Sequence, residues 1–135
     1  MEKFVAHTNP LNVLKGDALM TPVTALEQQA DGVVVAPNVS LQLDEGVLTS
    51  VQNGSGELAT AVWDESTDIE SVPEGVVMRV PVDITMREAV EIRHQTHQFM
   101  VAERDGRCMG VIDDQAIYHA LLGRHFSRSD SDSPN

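Results

Sequence analysis

The chain has 135 residues, a length that suits one domain with a hydrophobic core and argues against two full domains. Its formal net charge is -12, and residues 1–75 contribute most of it with 2 basic and 12 acidic side chains, which disfavours a nucleic-acid partner. A single cysteine excludes an intramolecular disulfide, and the lack of a long apolar run or a signal-peptide pattern predicts a cytoplasmic protein without direct membrane insertion.

The first two segments of the chain carry short, interrupted patterns. Residues 1–16 predict a short helix that ends at Asn9-Pro10, because proline disfavours helical backbone in the residue before it. Since this segment is too short to fold alone, we interpret it as the trailing edge of a larger domain or as a linker. In the following segment we expect a turn at Met20-Thr21-Pro22 and then a short helical piece through Gln29.

Residues 17–75 are predominantly β in character. The predicted strands are Gly32–Ala36, Val39–Leu43, Val47–Val51 and Leu58–Trp63. Asp44-Glu45-Gly46 marks a turn, and a glycine-rich connection joins the last two strands. We therefore predict a meander of three or four strands. The acidic loop Asp64–Gly75 that follows is interpreted as a solvated linker, because its spacing does not match a calcium-binding loop.

Residues 76–123 have the clearest internal order, beginning with a strand and a helix. Val77–Val82 is rich in β-branched residues and predicts the strand. Thr85 precedes Glu88 by three positions, the spacing of a capping box, so the helix should begin near Thr85 and end around His94–His97. The apolar stripe of this helix is expected to consist of Met86, Ala89, Val90 and Ile92.

A hairpin and a second helix complete this half of the chain. Asp105-Gly106 is a two-residue hairpin signal between the predicted strands Phe99–Glu103 and Cys108–Ile112. Asp113 or Asp114 should cap the last helix, which a glycine ends at position 123. Residues 124–135 lack apolar residues after position 126, which predicts a disordered tail.

This order of elements resembles the repeat of cystathionine-β-synthase type (CBS) domains, which runs strand, helix, strand, strand, helix. The resemblance is carried by Val80-Pro81-Val82 before Thr85–Ala89, by the Phe99–Arg107 hairpin and by Gly110-Val111-Ile112 before the last helix. It implies an α+β fold with a CBS-like β-α-β-β-α repeat in residues 76–123. A β-meander or a degenerate first repeat would precede it in residues 17–75.

A second resemblance concerns the segment Phe4–Pro22. Its sequence, FVAHTNPLNVLKGDALMTP, is similar to the junction that follows the nucleotide-binding domain in ATP-binding subunits of glycine betaine, proline and choline ABC importers. In those subunits a CBS-type regulatory tail comes next. The two resemblances imply a non-catalytic regulatory module that modulates osmoprotectant uptake at the membrane periphery, with the transporter's ATPase domain and permease as partners. The sequence has no G-x-x-x-x-G-K-[ST] phosphate loop, so ATP hydrolysis is not assigned to these residues. The alternative is a freestanding small-molecule-binding CBS-like domain.

The CBS resemblance also suggests where a ligand would bind. Nucleotide-binding repeats carry a hydroxyl and then a carboxylate after a glycine, whereas this chain has Asp113 and Ala116 at those positions. An acidic side chain repels phosphate and alanine accepts no side-chain hydrogen bond, so we expect no tight ATP or AMP binding. The alternative role of Asp113 and Asp114 is helix capping. The candidate ligand-binding residues are Val80, Val82, Gly110, Ile112, Asp113 and Asp114.

Catalytic residues, metal ligands and a cofactor are not predicted. His94 and His97 have a spacing that permits metal binding, but no third ligand lies near them in the sequence, so surface histidines are the favoured interpretation. Cys108 lies in a predicted strand and is expected to be a buried, inert thiol. CBS repeats pack in pairs, so the β-rich half or a second copy of the chain should cover this repeat. A homodimer is the expected form in the second case.

Overall fold

The computed structural model describes residues 14–54 and 56–120, which form two five-stranded sheets and α-helices. The α+β class is therefore confirmed. The strands are β1 (Thr21–Pro22), β2 (Glu27–Gln29), β3 (Gly32–Ala36), β4 (Val39–Asp44), β5 (Val47–Asn53), β6 (Gly56–Leu58), β7 (Thr60–Val62), β8 (Val77–Pro81), β9 (Met100–Arg104) and β10 (Arg107–Ile112). The α-helices are α1 (Gly16–Leu19), α2 (Met86–Thr96) and α3, which covers 114–120 of the described residues. Short 3-10 turns lie at Val23–Ala25 and Ile69–Ser71.

The first sheet is mixed, with the strand order β1-β10-β9-β8-β7. Strands β7, β8 and β9 are parallel, whereas β10 is antiparallel to β9 and β1 is antiparallel to β10. Helix α2 connects the parallel pair β8 and β9, as such pairs require a crossover connection. Strands from both halves of the chain thus share one sheet, since β1 and β7 come from residues 17–75.

The predicted start of helix α2 is confirmed. The Thr85 hydroxyl accepts a hydrogen bond from the backbone N–H of Glu88 at 3.2 Å, and the Glu88 carboxylate accepts one from the N–H of Thr85 at 3.1 Å. This reciprocal pair is a capping box. The helix ends where His97 adopts a left-handed conformation with a φ of 59°. Val90 does not belong to the buried stripe, because it is exposed on the outer side of the helix.

Two predicted tight turns are confirmed by their backbone conformation. Asp105 and Gly106 have φ values of 54° and 80°, and Glu45 and Gly46 have values of 52° and 85°. Two successive positive φ angles are typical of the type I′ turn, whose twist matches the twist of the flanking strands. The carbonyl of Gly46 also accepts a hydrogen bond of 2.8 Å from the N–H of Cys108, so one turn touches the other sheet.

The second sheet is an antiparallel meander with the order β2-β3-β4-β5-β6. It has five strands instead of the predicted three or four. The predicted helical piece through Gln29 is wrong, because Glu27–Gln29 pairs with β3 as an edge strand. The predicted strand Leu58–Trp63 is also wrong as a single strand. Leu58 pairs with Val51 in the meander, whereas Thr60 pairs with Val77 in the mixed sheet, so the chain changes sheets at residue 59.

Two hydrophobic cores lie on opposite faces of the mixed sheet. Met78 and Met100 belong to the core that packs against α2 and α3, whereas their neighbours Val77 and Val101 face the meander. The meander therefore covers one face of the mixed sheet. Four predictions lie outside the described residues: the short helix before Asn9-Pro10, the apolar positions Leu121 and Leu122, the glycine stop at 123, and the disordered tail 124–135.

Candidate functional site

A cleft of about 610 Å³ lies at the carboxyl ends of β7 and β8. In open sheets with parallel strands, ligands bind outside the carboxyl ends of those strands. The cleft is bounded by the residues that follow β7, by the β8–α2 connection and by the first turn of α2. The polar and aromatic residues of its walls are Lys15, Trp63, Asp64, Glu65, Arg79, Asp83, Thr85, Glu88 and Glu103.

Acidic side chains dominate the cleft. Its lining includes two basic and five acidic side chains. One of the basic groups is neutralised within the wall, because the Arg79 guanidinium donates to Glu103 at 2.8 and 3.3 Å in a partly buried ion pair. The cleft therefore has a net negative charge of three, and Lys15 is the cation among its lining residues that has no carboxylate partner within the described part of the chain.

Trp63 is the only tryptophan in the sequence, and it lines the cleft immediately after β7. Its backbone N–H donates to the carbonyl of Arg79 at 2.9 Å, and the residue is 9% exposed. The indole Nε1–H is buried and has no acceptor among the described residues. An unpaired buried donor costs about 1–3 kcal/mol. The sequence analysis missed this residue, although a lone tryptophan at a strand end was a visible signal.

The segment 14–17 forms a strap that closes one wall of the cleft. The N–H groups of Gly16 and Asp17 donate to the carbonyls of Ile84 and Val82 at 2.7 and 2.8 Å, and the N–H of Met86 donates to the carbonyl of residue 14 at 3.0 Å. A Cβ on Gly16 would lie 2.8 Å from the Val82 carbonyl oxygen, so the close approach requires glycine. The strap therefore fixes the position of Lys15 beside Thr85.

Two backbone N–H groups in the first turn of α2 are already hydrogen-bonded within the protein and are not available to an anion. The N–H of Met86 is bonded to the strap, and the N–H of Glu88 is bonded to the Thr85 hydroxyl. Phosphate binding at a helix start requires such groups to be available and is disfavoured by nearby carboxylates. The electrostatics of this cleft thus favour a cation over a phosphate.

The six predicted ligand-binding residues are spread over the sheet. Val80 lines the cleft, but it is buried, as are Gly110 and Ile112. Val80 and Gly110 both flank Ala102 across β9, which places them about 10 Å apart at the usual strand spacing. Strand β10 runs antiparallel to β8, so the chain from Gly110 leads away from the cleft.

The remaining predicted residues also lie at different ends of the sheet. Val82 follows β8 at the cleft end, where its carbonyl holds the strap. Asp113 lies at the opposite end and caps α3, since its Oδ1 accepts a hydrogen bond from the N–H of Ala116 at 2.8 Å. Asp114 forms an exposed ion pair of 2.8 Å with Arg93. The geometry thus supports the capping role of Asp113 and does not bring the six residues together.

The predicted thiol and histidine positions lie outside the cleft. Cys108 is buried between the sheets, and burial raises the pKa of its thiol to about 11, so the nucleophilic thiolate is scarce at neutral pH. His97 Nδ1 lies 2.9 Å from the carboxylate of Glu74. The ring of His94 lies 6.4 Å from that of His97 between centroids. Within residues 14–54 and 56–120, no group of three or more histidine, cysteine or acidic side chains is placed to hold a metal ion.

Two further observations concern the whole described chain. None of the helices in residues 14–54 and 56–120 has the length and apolar content needed to cross a lipid bilayer. Comparison of the protein with family models, with curated proteins and with solved structures gives no match.

Proposed function

We propose that the chain is a non-catalytic regulatory module, similar to the CBS-type tail of ATP-binding subunits in quaternary-amine ABC importers, and that it modulates osmoprotectant uptake. The observation that supports this proposal is the succession β8–α2–β9–β10–α3, which has the strand, helix, strand, strand, helix order of a CBS repeat. Partners of such a module would be the transporter's ATPase domain and permease.

The described part of the junction-like segment is integrated into the fold. Thr21 and Pro22 form β1, which pairs with β10, and the strap at 14–17 is bonded to the β8–α2 connection. A regulatory tail needs a mechanical link between the module and the chain that precedes it. The strap supplies such a link, because a displacement of residues 14–17 would move the wall of the cleft.

The charge of the chain suggests ionic strength as one regulatory input. A net charge of -12 on 135 residues creates self-repulsion that salt screens, since the Debye length falls from about 30 Å at 0.01 M to about 10 Å at 0.1 M. We therefore expect the compactness of the chain, or its docking on the transporter, to depend on ionic strength. Sedimentation at low and high salt measures this, and identical profiles would contradict the idea.

The regulatory proposal is tested on a transporter. A quaternary-amine ABC importer is reconstituted in liposomes, and ATP hydrolysis is measured with and without the added chain at several salt concentrations. We expect the chain to change the rate in a salt-dependent manner. The control is an unrelated acidic protein of similar net charge. Equal rates with both proteins at every salt concentration would refute the proposal.

The second candidate function is that of a freestanding small-molecule-binding domain, and the cleft beside Trp63 favours it. Its volume of about 610 Å³ falls in the range of about 300–1,000 Å³ that is usual for ligand pockets. The Nε1–H of Trp63, which has no acceptor within residues 14–54 and 56–120, is a polar group that a ligand could satisfy. Saturable binding to the isolated chain would support this function independently of any transporter.

The homodimer suggested by the CBS resemblance stays a prediction. The mixed sheet buries Val77, Val101 and Val111 against the meander, so this face does not require a second copy of the chain. A dimer would instead use another surface, such as the outer face of α2 with its exposed Val90. Size-exclusion chromatography with light scattering tests the association state, and a monomer at high concentration would rule out the homodimer.

A further inference from the structure

We propose that the outer edge of strand β7 binds an extended, basic segment of a partner protein, which adds to the mixed sheet as a further strand. Neither of the functions proposed above depends on this edge. Three features of the molecule support strand addition here: the open backbone of β7, the exposed side chain of Val62 and the sign of the charge around the strand.

Strand β7 is the last strand of the mixed sheet, and only its inner side is paired. The backbones of Ala59 and Trp63 are hydrogen-bonded to β8, each at 2.9 Å. Because backbone groups of successive strand residues point to opposite sides, the N–H and C=O groups of Thr60 and Val62 point to the outer side. In the described part of the chain no strand pairs with that side. The edge therefore offers unpaired donors and acceptors to a strand from outside.

The other sheet edges carry features that oppose strand addition, whereas β7 does not. Strand β1 ends at Pro22, which has no N–H group, and the edge strands of the meander carry the exposed carboxylates of Glu27 and Glu57. Proline and charge are usual protections of an open edge. Thr60–Val62 contains neither and pairs with β8 in continuous register. Among the described strands, β7 is thus the edge best suited to accept a partner.

Val62 offers the added strand an apolar contact. It is 63% exposed, the highest value among the exposed large hydrophobic residues of the described chain. Thr60 lies on the same face of the sheet, because side chains two positions apart in a strand point the same way. A strand beside β7 would place one of its own apolar side chains next to Val62 and shield both from water. The partner segment should therefore contain apolar residues at alternate positions.

The charge of the partner segment follows from the surroundings of β7. Every charged side chain in residues 16–78 is acidic, since this span contains no lysine, arginine or histidine. Glu57 precedes β7, whereas Asp64 and Glu65 follow it, and all three are exposed. A basic segment is attracted to this edge, whereas a second copy of the chain, with its net charge of -12, is repelled. The charge thus favours a basic partner over self-association.

Fluorescence anisotropy of a labelled synthetic peptide tests the binding to the full chain. The probe is a blocked heptapeptide of alternating lysine and valine with a fluorescein label. The same peptide with proline at its central position keeps the charge and opposes an extended pairing, and a glutamate–valine heptapeptide reverses the charge. We expect saturable binding of the lysine–valine peptide, about tenfold weaker binding of the proline peptide and none of the glutamate peptide. Equal binding of the lysine–valine and proline peptides would overturn the strand-like mode.

A matched pair of variants locates the binding on β7. Val62→Lys introduces the charge with which proteins block strand addition, and it should weaken binding of the lysine–valine peptide by about tenfold. Val47→Lys makes the same change on β5, an inner strand of the meander, at a residue that is 42% exposed. It should change the affinity by no more than about twofold. Both positions are exposed, so circular dichroism should match the parent chain. Equal weakening by both variants would place the binding elsewhere and refute the proposal.

Amide hydrogen exchange followed by NMR distinguishes strand addition from a purely ionic contact. Peptide binding should slow exchange at Thr60 and Val62 and leave the exchange at Ala61, which faces β8, unchanged. Binding without slower exchange at Thr60 and Val62 would overturn strand addition. Slow exchange at both residues before peptide is added would show that another part of this chain occupies the edge. Self-association that Val62→Lys abolishes would assign the edge to a second copy, and either result would refute the basic partner.

Discussion

Replacement of Gly110 by alanine is expected to destabilise the protein through one close backbone approach. A Cβ at this position would lie 2.3 Å from the carbonyl oxygen of Thr21 and 3.1 Å from the Cα of Pro22. Because the nearest atom belongs to the backbone, the clash is relieved only if β1 moves away from β10. Overpacking of this kind costs about 1–3 kcal/mol of unfolding free energy. The pairing of Thr21 with Val111 would be weakened as well.

Urea unfolding monitored by Trp63 fluorescence measures this loss. Gly56→Ala is the matched control, since Gly56 is also a strand glycine and a Cβ there has no heavy atom within 4 Å. The free energy of unfolding of the Gly56→Ala control should differ from that of the parent chain by no more than about 0.5 kcal/mol. If Gly110→Ala has the same unfolding midpoint as Gly56→Ala, the close packing of β1 on β10 is not maintained in solution, and the reasoning fails.

Three further predictions use the same unfolding assay. Thr85→Ala removes the hydroxyl of the capping box and should lower the free energy of unfolding by about 0.5–2 kcal/mol. An unchanged free energy of unfolding would show that the capping box does not stabilise the protein. Glu103→Gln should lower the free energy of unfolding by about 1–3 kcal/mol, because the Glu103 side chain is only 14% exposed. Asp114→Asn should cost at most about 1 kcal/mol, because the Asp114 side chain is 69% exposed, and a reversed order would contradict this. Burial raises the pKa of the Cys108 thiol from 9.0 to about 11, so the unfolded chain loses this proton at a lower pH than the folded chain does. The free energy of unfolding should therefore fall as the pH rises from 9.0 to about 11. Cys108→Ala should make this fall with pH less steep, and an unchanged pH dependence would contradict the assignment.

The local features of the fold could be predicted because each depends on residues close together in the sequence. Thr85 and Glu88 form the capping box that starts α2, and their three-residue spacing is sufficient to place it. Asp105-Gly106 forms the tight turn between β9 and β10 because these residue types tolerate positive φ. The capping role of Asp113 was likewise one of the two interpretations that its position allowed.

The candidate site could not be predicted in the same way, because its walls come from distant segments. Trp63, Asp83 and Lys15 are separated by 20 residues or more, and the strap and the β7–β8 pairing bring them together. The CBS resemblance directed attention to Gly110–Asp114 instead. That segment lies at the other end of the sheet because β10 runs antiparallel to β8.

The sequence by itself determined the α+β class, the tight turns at Glu45-Gly46 and Asp105-Gly106, the start of α2 and the β character of residues 32–51, since hydrophobic period and capping chemistry are local properties. The turn expected at Met20-Thr21-Pro22 is wrong, because Thr21–Pro22 pairs with β10 as a strand. Only the tertiary structure decided that Leu58 and Thr60 belong to different sheets, and that Glu27–Gln29 is a strand. Pairing with a distant partner overrides local preference in such short segments. The same long-range pairing buries Trp63 without an acceptor among the described residues and creates the acidic cleft beside it.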